Sequence, residues 1–144
     1  MYIRLMLAHR QPENCVCLNL RAATRSITQR YDQALASSGL LSTQYSMLNA
    51  IESHGVMGVA ELASWMAMDV STATKNLRPL LARGFITLKQ STLDGRRREI
   101  RTTEKGKRIL GLALPLWNQE QDSALQKLGP RKFAQLQSLL SELR

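Results

Sequence analysis

The chain has 144 residues, of which 44% are hydrophobic and only 5% aromatic. Its 20 lysines and arginines outnumber 11 aspartates and glutamates, which gives a formal net charge of +9. This length fits one domain, and the apolar fraction is too high for a disordered chain. We find neither an apolar run of the roughly 18 residues that a membrane span needs nor the pattern of a signal peptide. The positive excess favours a polyanionic partner, nucleic acid before a membrane surface.

The first predicted element is a long helix from Pro12 to about Ser37, and Gly39 is placed to end it as a C-terminal cap. Ser42 or Thr43 is expected to cap a second helix that closes at about Gly55. The stripe of the first helix repeats at steps of three and four: Val16, Leu20, Ala23, Ile27, Tyr31 and Leu35. The inner face of the second is predicted to include Tyr45, Met47, Leu48 and Ile51.

Two short helices follow. The first covers Val59 to Met66 with one apolar face, and the second, capped by Asp69 or Ser71, runs to about Arg83 and stops at Gly84. Because only residues 67–69 join them, the pair matches a helix-turn-helix.

After Gly84 the spacing of the hydrophobic residues changes from the helical pattern to that of strands. Residues 85–89 and 99–102 are typical of strands, and they are joined through Asp94 and Gly95 by a loop with three consecutive arginines. Thr103 is expected to open a long helix with an inward stripe that includes Leu110, Leu114 and Trp117. Gly129–Pro130 should break that helix before a last, leucine-lined one.

The predicted fold is mainly α with a small β-hairpin wing: a winged helix-turn-helix flanked by N- and C-terminal dimerisation helices. One domain covers residues 1–144, with the DNA-binding part at about 42–102 and the dimerisation helices at about 12–38 and 103–144. Residues 71–108 hold eleven basic residues against three acids, which is +8 of the total +9. We expect the flanking helices to bury their apolar stripes against a symmetric copy, with an intramolecular bundle as the alternative.

The segments GVAELASWMAMDVSTATKNLRPLLARGFI and DGRRREIRTTEKG resemble the MarR-type winged-helix transcriptional regulators, and the likeness extends from about Cys15 to Leu143. Ala67 stands where the family usually has glycine. The resemblance implies a cytoplasmic, homodimeric repressor that binds palindromic double-stranded DNA and is released by a ligand or by oxidation. The alternative is an architectural nucleoid protein without sequence preference. No constellation for catalysis or for a metal or other cofactor appears, so we expect no enzyme.

On this interpretation the recognition helix lies in a major groove and the wing reaches the minor groove and the phosphates. Arg96 is predicted to enter the minor groove, oriented by Asp94, while Arg97, Arg98, Arg101 and Lys105 hold phosphates. The predicted contacts from the recognition helix are Ser71, Thr72, Thr74, Lys75, Asn76 and Arg78.

Cys15 and Cys17 form a C-x-C pair near the start of the first helix. Within a helix their sulfurs would point about 200° apart, so a shared metal ion or a mutual disulfide requires the helix to fray there. The pattern from Cys17 to Tyr31 resembles the organic-hydroperoxide-sensing branch of the family, which implies a reactive Cys17 paired with a partner subunit's tyrosine. Cys15 could then resolve the oxidised thiol.

The alternative signal is a small aromatic ligand at the junction of the dimerisation helices and the winged domain. Its predicted lining residues are Tyr31, Tyr45, Met47, Trp65 and Trp117.

Overall fold

The computed structural model describes residues 11–95 and 97–144, so the prediction for Arg96 lies outside the described residues. The elements are α1 (Val16–Leu35), α2 (Ser42–His54), β1 (Met57–Gly58), α3 (Val59–Trp65), α4 (Val70–Ala82), β2 (Ile86–Gln90), β3 (Arg98–Thr102) and α5 (Glu104–Glu142). Short 3₁₀ turns at Pro12–Asn14 and Ala36–Ser38 flank α1. The predicted order of helices and hairpin strands is confirmed, and β1 is an addition to it.

The core surrounds α2. Its predicted inner face is confirmed, since Tyr45, Met47, Leu48 and Ile51 are all nearly inaccessible to solvent. Residues from α3, α4, the sheet and the first half of α5 pack against this face: Leu62, Leu77, Leu80, Phe85, Ile86, Ile100 and Ala113. Leu114, in the predicted apolar stripe of α5, is 45% exposed in one subunit. Its neighbour Ala113 takes the inward position, because the small side chain lets α5 lie close to α2.

The N-terminus of α2 differs from the prediction. The helix begins at Ser42, so neither Ser42 nor Thr43 occupies the capping position, which falls to Leu41. The Leu41 N–H donates to Gln44 Oε1 at 3.1 Å, and the Ser42 N–H donates to Asp32 Oδ1 at 2.6 Å. A carboxylate from the end of α1 therefore replaces the local hydroxyl cap.

The turn between α3 and α4 explains the departure at Ala67. This residue has φ 52°, the left-handed region that normally favours glycine. Its N–H donates to Ser64 O at 3.1 Å, and the Met68 N–H donates to Ala63 O at 2.9 Å. This double closure is a Schellman motif, which requires the left-handed conformation at Ala67.

The sheet has three antiparallel strands in the order β1-β3-β2. Met57 pairs with Ile100 on one side of β3, and Leu88 pairs with Ile100 on the other. The sequence missed β1 because a strand of two residues carries no periodic signal. The short strand ties the start of the helix-turn-helix to the base of the wing.

Helix α5 packs against α1 and α2 in its first half. Arg30 Nη2 lies 2.5 Å from Glu120 Oε1, and the Trp117 ring stacks on Tyr45 with centroids 5.6 Å apart. The predicted break is confirmed, since Gly129 has φ 73° and ψ 159°, outside the helical region. No helix in the described part of the chain is long and apolar enough to cross a membrane.

Candidate nucleic-acid interface

Asp69 organises the first turn of α4. Its Oδ1 accepts hydrogen bonds from Ser71 Oγ at 2.6 Å and from the Thr72 N–H at 2.7 Å. Its Oδ2 accepts from Thr72 Oγ1 at 2.7 Å. The prediction that Asp69 caps this helix is confirmed, and the negative charge also complements the positive end of the helix dipole.

These three hydrogen bonds hold the pKa of the Asp69 carboxyl group well below its ordinary value of 3.8, with the bond from Ser71 Oγ as the largest cause. A group whose pKa is lower in the folded state stabilises that state fully above its unfolded pKa, and the contribution is lost as the pH falls toward the folded value. The carboxylate is therefore ionised throughout the neutral range.

A pH-dependent difference in stability follows for Asp69→Ala. We expect the melting temperature of the variant to be lower than that of the wild type by a constant few degrees from about pH 8 to about pH 5. Below about pH 4 the gap should narrow, because the Asp69 carboxyl group of the unfolded wild-type chain takes up a proton while that of the folded protein stays ionised. Thermal unfolding followed by circular dichroism across this range tests the expectation, and a gap that widens in acid would contradict it.

The outward face of α4 carries the predicted base-reading side chains. Ser71, Thr72, Thr74, Lys75 and Arg78 are exposed, whereas Ala73, Leu77 and Leu80 on the opposite face are buried. Thr74 Oγ1 donates to Val70 O at 2.7 Å. Asn76 differs from the others, because it is half-buried and its Nδ2 lies 3.9 Å from Met68 Sδ. Its amide faces the helix-turn-helix turn, which gives it a positioning role.

The wing turn is braced from within. Ser91 is buried, and its Oγ accepts the N–H groups of Leu93 at 3.2 Å and Asp94 at 3.3 Å. The Ser91 N–H donates to Arg97 O at 2.7 Å, and the Arg97 N–H donates to Asp94 O at 2.9 Å. The predicted wing residues Asp94 and Arg97 thus belong to one ordered turn. Sequence reasoning missed Ser91, and also Leu93, whose apolar side chain is 96% exposed.

The recognition helix and the wing share a groove. A cavity of about 560 Å³ has an apolar floor that includes Val59, Leu77 and Leu88. Thr74, Arg78, Arg97 and Arg98 also line it. Arg101, on β3, is 58% exposed and lies 3.7 Å from Glu99, at the limit of an ion pair. The structure therefore brings helix and wing cations to one side of the molecule.

Lys105 departs from its predicted phosphate role. Its Nζ donates to Arg83 O at 2.8 Å, at the C-terminal end of α4, and lies 5.5 Å from the centroid of the Phe85 ring. Arg83 stacks on the same ring at 4.5 Å and donates through Nη1 to Gly39 O at 2.7 Å. Both cations are held by the fold, where they connect α4 to α5 and to the end of α1.

Comparison with known proteins decides the family. The sequence profile of the MarR family matches residues 40–97. The organic hydroperoxide resistance transcriptional regulator of Bacillus subtilis (strain 168) is 31% identical over 98 residues, which cover 68% of this chain and 67% of that protein. The chain belongs to the MarR family of transcriptional regulators. The predicted family and winged-helix fold are both confirmed.

Further relatives of this MarR-family chain agree. The regulator SarZ of Staphylococcus epidermidis is 28% identical over 94 residues, 65% of this chain and 64% of SarZ. Mycobacterium tuberculosis MosR, solved in complex with DNA, is 32% identical with a TM-score of 0.76, covering 90% of this chain and 98% of that chain. A cysteine-to-serine variant of Escherichia coli MarR, complexed with operator DNA, has a TM-score of 0.82 at 18% identity, over 92% and 97% of the two chains, and so shows the shared fold.

The two cysteines of this MarR-family chain are free and exposed. Cys15 is the N-cap of α1 rather than a helical residue, and its Sγ accepts the Leu18 N–H at 3.4 Å. The angular argument that separates the two sulfurs assumed two helical residues, so it does not apply to Cys15. Among the described residues, no group of three histidine, cysteine or acidic side chains could hold a metal ion.

Tyr31 lies at the α1–α5 contact, where its hydroxyl donates to Gln121 Oε1 and its ring centroid is 6.0 Å from that of Trp117. Burial raises the pKa of Tyr31, and the charge of Glu120 adds to the rise while Arg30 opposes it. The phenol is therefore neutral and half-buried. In this position it connects α1 to α5 within one subunit.

A cavity of about 290 Å³ opens beside this contact. Its lining includes two of the five predicted ligand residues, Tyr31 and Trp117, together with Ile27, Thr28, Ser42, Thr43, Ser46 and Met66. The other three are placed differently. Tyr45 and Met47 are buried in the core, and Trp65 is half exposed on α3, outside the lining of this cavity. Helical periodicity marked Tyr31, Tyr45 and Trp117 as members of apolar stripes but could not distinguish the core from a cavity wall.

Proposed function

We propose that this chain is a cytoplasmic, homodimeric repressor that recognises palindromic double-stranded DNA without any cofactor or catalysis. The observation that carries this proposal is the groove shared by α4 and the wing, where Thr74 and Arg78 stand beside Arg97 and Arg98. The exposed polar face of α4 has the size and chemistry to enter a major groove. Most of the chain's positive charge lies in the same segment, which suits the adjacent phosphates.

Each predicted contact has a role in this arrangement. Ser71, Thr72 and Thr74 read base edges, and Lys75 reaches a guanine or a phosphate. Arg96 enters the minor groove from the wing turn that Asp94 helps to form. Arg78, Arg97 and Arg101 hold phosphates, and Asn76 positions the start of α4 from behind.

The dimer is supported by apolar side chains that one subunit leaves in water. The N-terminal half of α1 and the C-terminal half of α5 both expose them, and soluble monomers rarely leave such patches uncovered. The exposed residues are Val16, Leu18, Leu20, Ile27, Leu128, Leu136, Leu139, Leu140 and Leu143. A second copy that covers them would give the molecule two reading heads, as recognition of two operator half-sites about 34–36 Å apart requires. The winged part at about 42–102 and the dimerisation helices at about 12–38 and 103–144 then form one single-domain subunit.

Two variants test the DNA interface. A duplex selected by the wild-type protein from a random pool serves as the operator, and binding is measured against salt concentration. Thr72→Ala should relax the base preference, whereas Arg101→Ala should weaken selected and random duplexes equally, by about fivefold, and flatten the salt slope. If random DNA displaces the wild-type protein from the selected duplex, the result favours the architectural alternative and overturns the proposal.

Release is proposed to follow oxidation of Cys17. The exposure of this thiol supports the assignment, as does the likeness to a Bacillus subtilis protein named for organic hydroperoxide resistance. Cys15, two residues away and also exposed, or a small thiol from solution, is proposed to resolve the oxidised sulfur. A small aromatic ligand is the second candidate signal, because Tyr31 and Trp117 line the cavity of about 290 Å³ at the α1–α5 contact. Either signal would act where α1, α2 and α5 meet.

A further inference from the structure

The three hydroxyl groups on the exposed face of α4 all donate their hydrogen bond to an acceptor within the protein. Ser71 Oγ and Thr72 Oγ1 donate to the Asp69 carboxylate at 2.6 and 2.7 Å, and Thr74 Oγ1 donates to Val70 O at 2.7 Å. A hydroxyl has one hydrogen to donate and two lone pairs that accept. Each of these oxygens therefore has only acceptor capacity left for a partner outside.

We propose that Asp69 is a specificity-determining residue, which fixes Ser71 and Thr72 as hydrogen-bond acceptors so that the helix selects the amino groups of adenine or cytosine. The inference rests on the proposed DNA-binding function and deepens it. In the major groove the donors are adenine N6 and cytosine N4, whereas guanine and the thymine oxygen offer only acceptors. A surface that only accepts hydrogen bonds pairs with the amino groups of adenine and cytosine. It leaves the acceptor atoms of guanine and thymine without a donor.

The Asp69 carboxylate fixes the Ser71 and Thr72 hydroxyl groups as acceptors toward the DNA. A hydroxyl that rotates freely adapts to a donor or an acceptor, and it discriminates poorly between bases. An ionised carboxylate can only accept, so the neighbouring hydroxyls must donate to it. The lowered pKa of Asp69 keeps it in this form at neutral pH. Thr74 has the same polarity through a backbone carbonyl, so the donors on this face are left to Lys75 and Arg78.

Asp69→Asn changes the direction of the hydrogen bonds at residue 69 while it keeps the helix cap. Asparagine caps helices as well as aspartate, and it keeps one oxygen for the Thr72 N–H. Its amino group, however, donates where Oδ2 accepted, which frees the hydrogen of Thr72 Oγ1, while Ser71 Oγ can still donate to the remaining oxygen. We expect a duplex pool selected by Asp69→Asn to admit guanine or thymine where the wild type demands adenine or cytosine. The discrimination between the two at that position should fall roughly tenfold.

Asp69→Ala is the companion variant: it removes the cap together with both acceptor oxygens, so it should weaken all duplexes and also relax the same preference, because both hydroxyls are then free to rotate. A second measurement uses wild-type protein on a selected duplex in which the contacted adenine is replaced by purine, which lacks N6; affinity should fall about tenfold. If Asp69→Asn selects the wild-type sequence with undiminished discrimination, the polarity proposal is overturned while DNA recognition stands. If the wild type selects no sequence at all, the proposed function falls and this inference falls with it.

Discussion

Gly106→Ala is expected to lower the free energy of unfolding by about 3 kcal/mol, a large share of the stability of a small domain. A Cβ at this position would lie 2.1 Å from Phe85 O and 2.8 Å from Thr102 Cγ2. The backbone has no room to retreat, because Phe85 O accepts the Thr103 N–H at 3.0 Å and Thr103 Oγ1 accepts the Gly106 N–H at 3.0 Å. The glycine therefore lets α5 begin directly against the wing.

Gly111→Ala is the matched control, as nothing lies within 4 Å of its Cβ position and it stands on the same helix. It should raise stability by about 1 kcal/mol, the ordinary preference of a helix for alanine over glycine. Urea unfolding of the three proteins measures both changes. Equal midpoints for Gly106→Ala and the wild type would show that the packing around the start of α5 gives way more easily than the structure indicates.

Features that depend on short stretches of chain were predictable from the sequence. Asp69 and Thr103 cap their helices as expected, and Gly39 and Gly129 interrupt the helical chain where the sequence placed them, at φ 71° and 73°. Each signal involves residues within three or four positions of one another. The element order followed from the same local rules, and its resemblance to a known family then indicated the topology.

Features that depend on distant residues were not predictable. The cap of α2 comes from Asp32, ten positions away, and the anchor of Lys105 on Arg83 spans 22 positions. Neither contact leaves a mark on periodicity or composition. Lys105 counts as one more basic residue in a basic segment until the fold shows where its ammonium group lies.

The candidate site was predicted as a set of residues but not as a set of orientations. Helical spacing placed Ser71, Thr72 and Thr74 on one exposed face, as the structure has them. It could not say where their hydroxyl hydrogens point, because that depends on the contact each oxygen makes. Likewise the wing turn was expected from Asp94 and Gly95, yet the buried Ser91 that braces it looked like any loop serine.

Cys17→Ser is expected to abolish release of the protein from its operator by an organic hydroperoxide while leaving DNA affinity in the reduced state unchanged. In the proposed mechanism, the Cys17 thiolate attacks the terminal peroxide oxygen and the O–O bond breaks to give a sulfenic acid, while the departing alkoxide takes up a proton and leaves as an alcohol. Attack by the Cys15 thiol then forms a disulfide and expels water. The disulfide follows release and does not cause it; its formation would pull the capping residue Cys15 away from the Leu18 N–H, which its sulfur accepts at 3.4 Å.

Cys15→Ser separates the two steps, because serine also caps a helix. This variant should still lose DNA on treatment with cumene hydroperoxide, but thiol reagents should find a sulfenic acid at Cys17 in place of a disulfide. Operator binding followed by fluorescence anisotropy, with mass spectrometry of the same samples, reports both results. If wild type and Cys17→Ser release DNA alike, the Cys17 thiol is excluded as the sensor. The remaining candidate signal is then a ligand in the cavity beside Tyr31. Retention of DNA by Cys15→Ser would instead make the disulfide, and not the sulfenic acid, the releasing species.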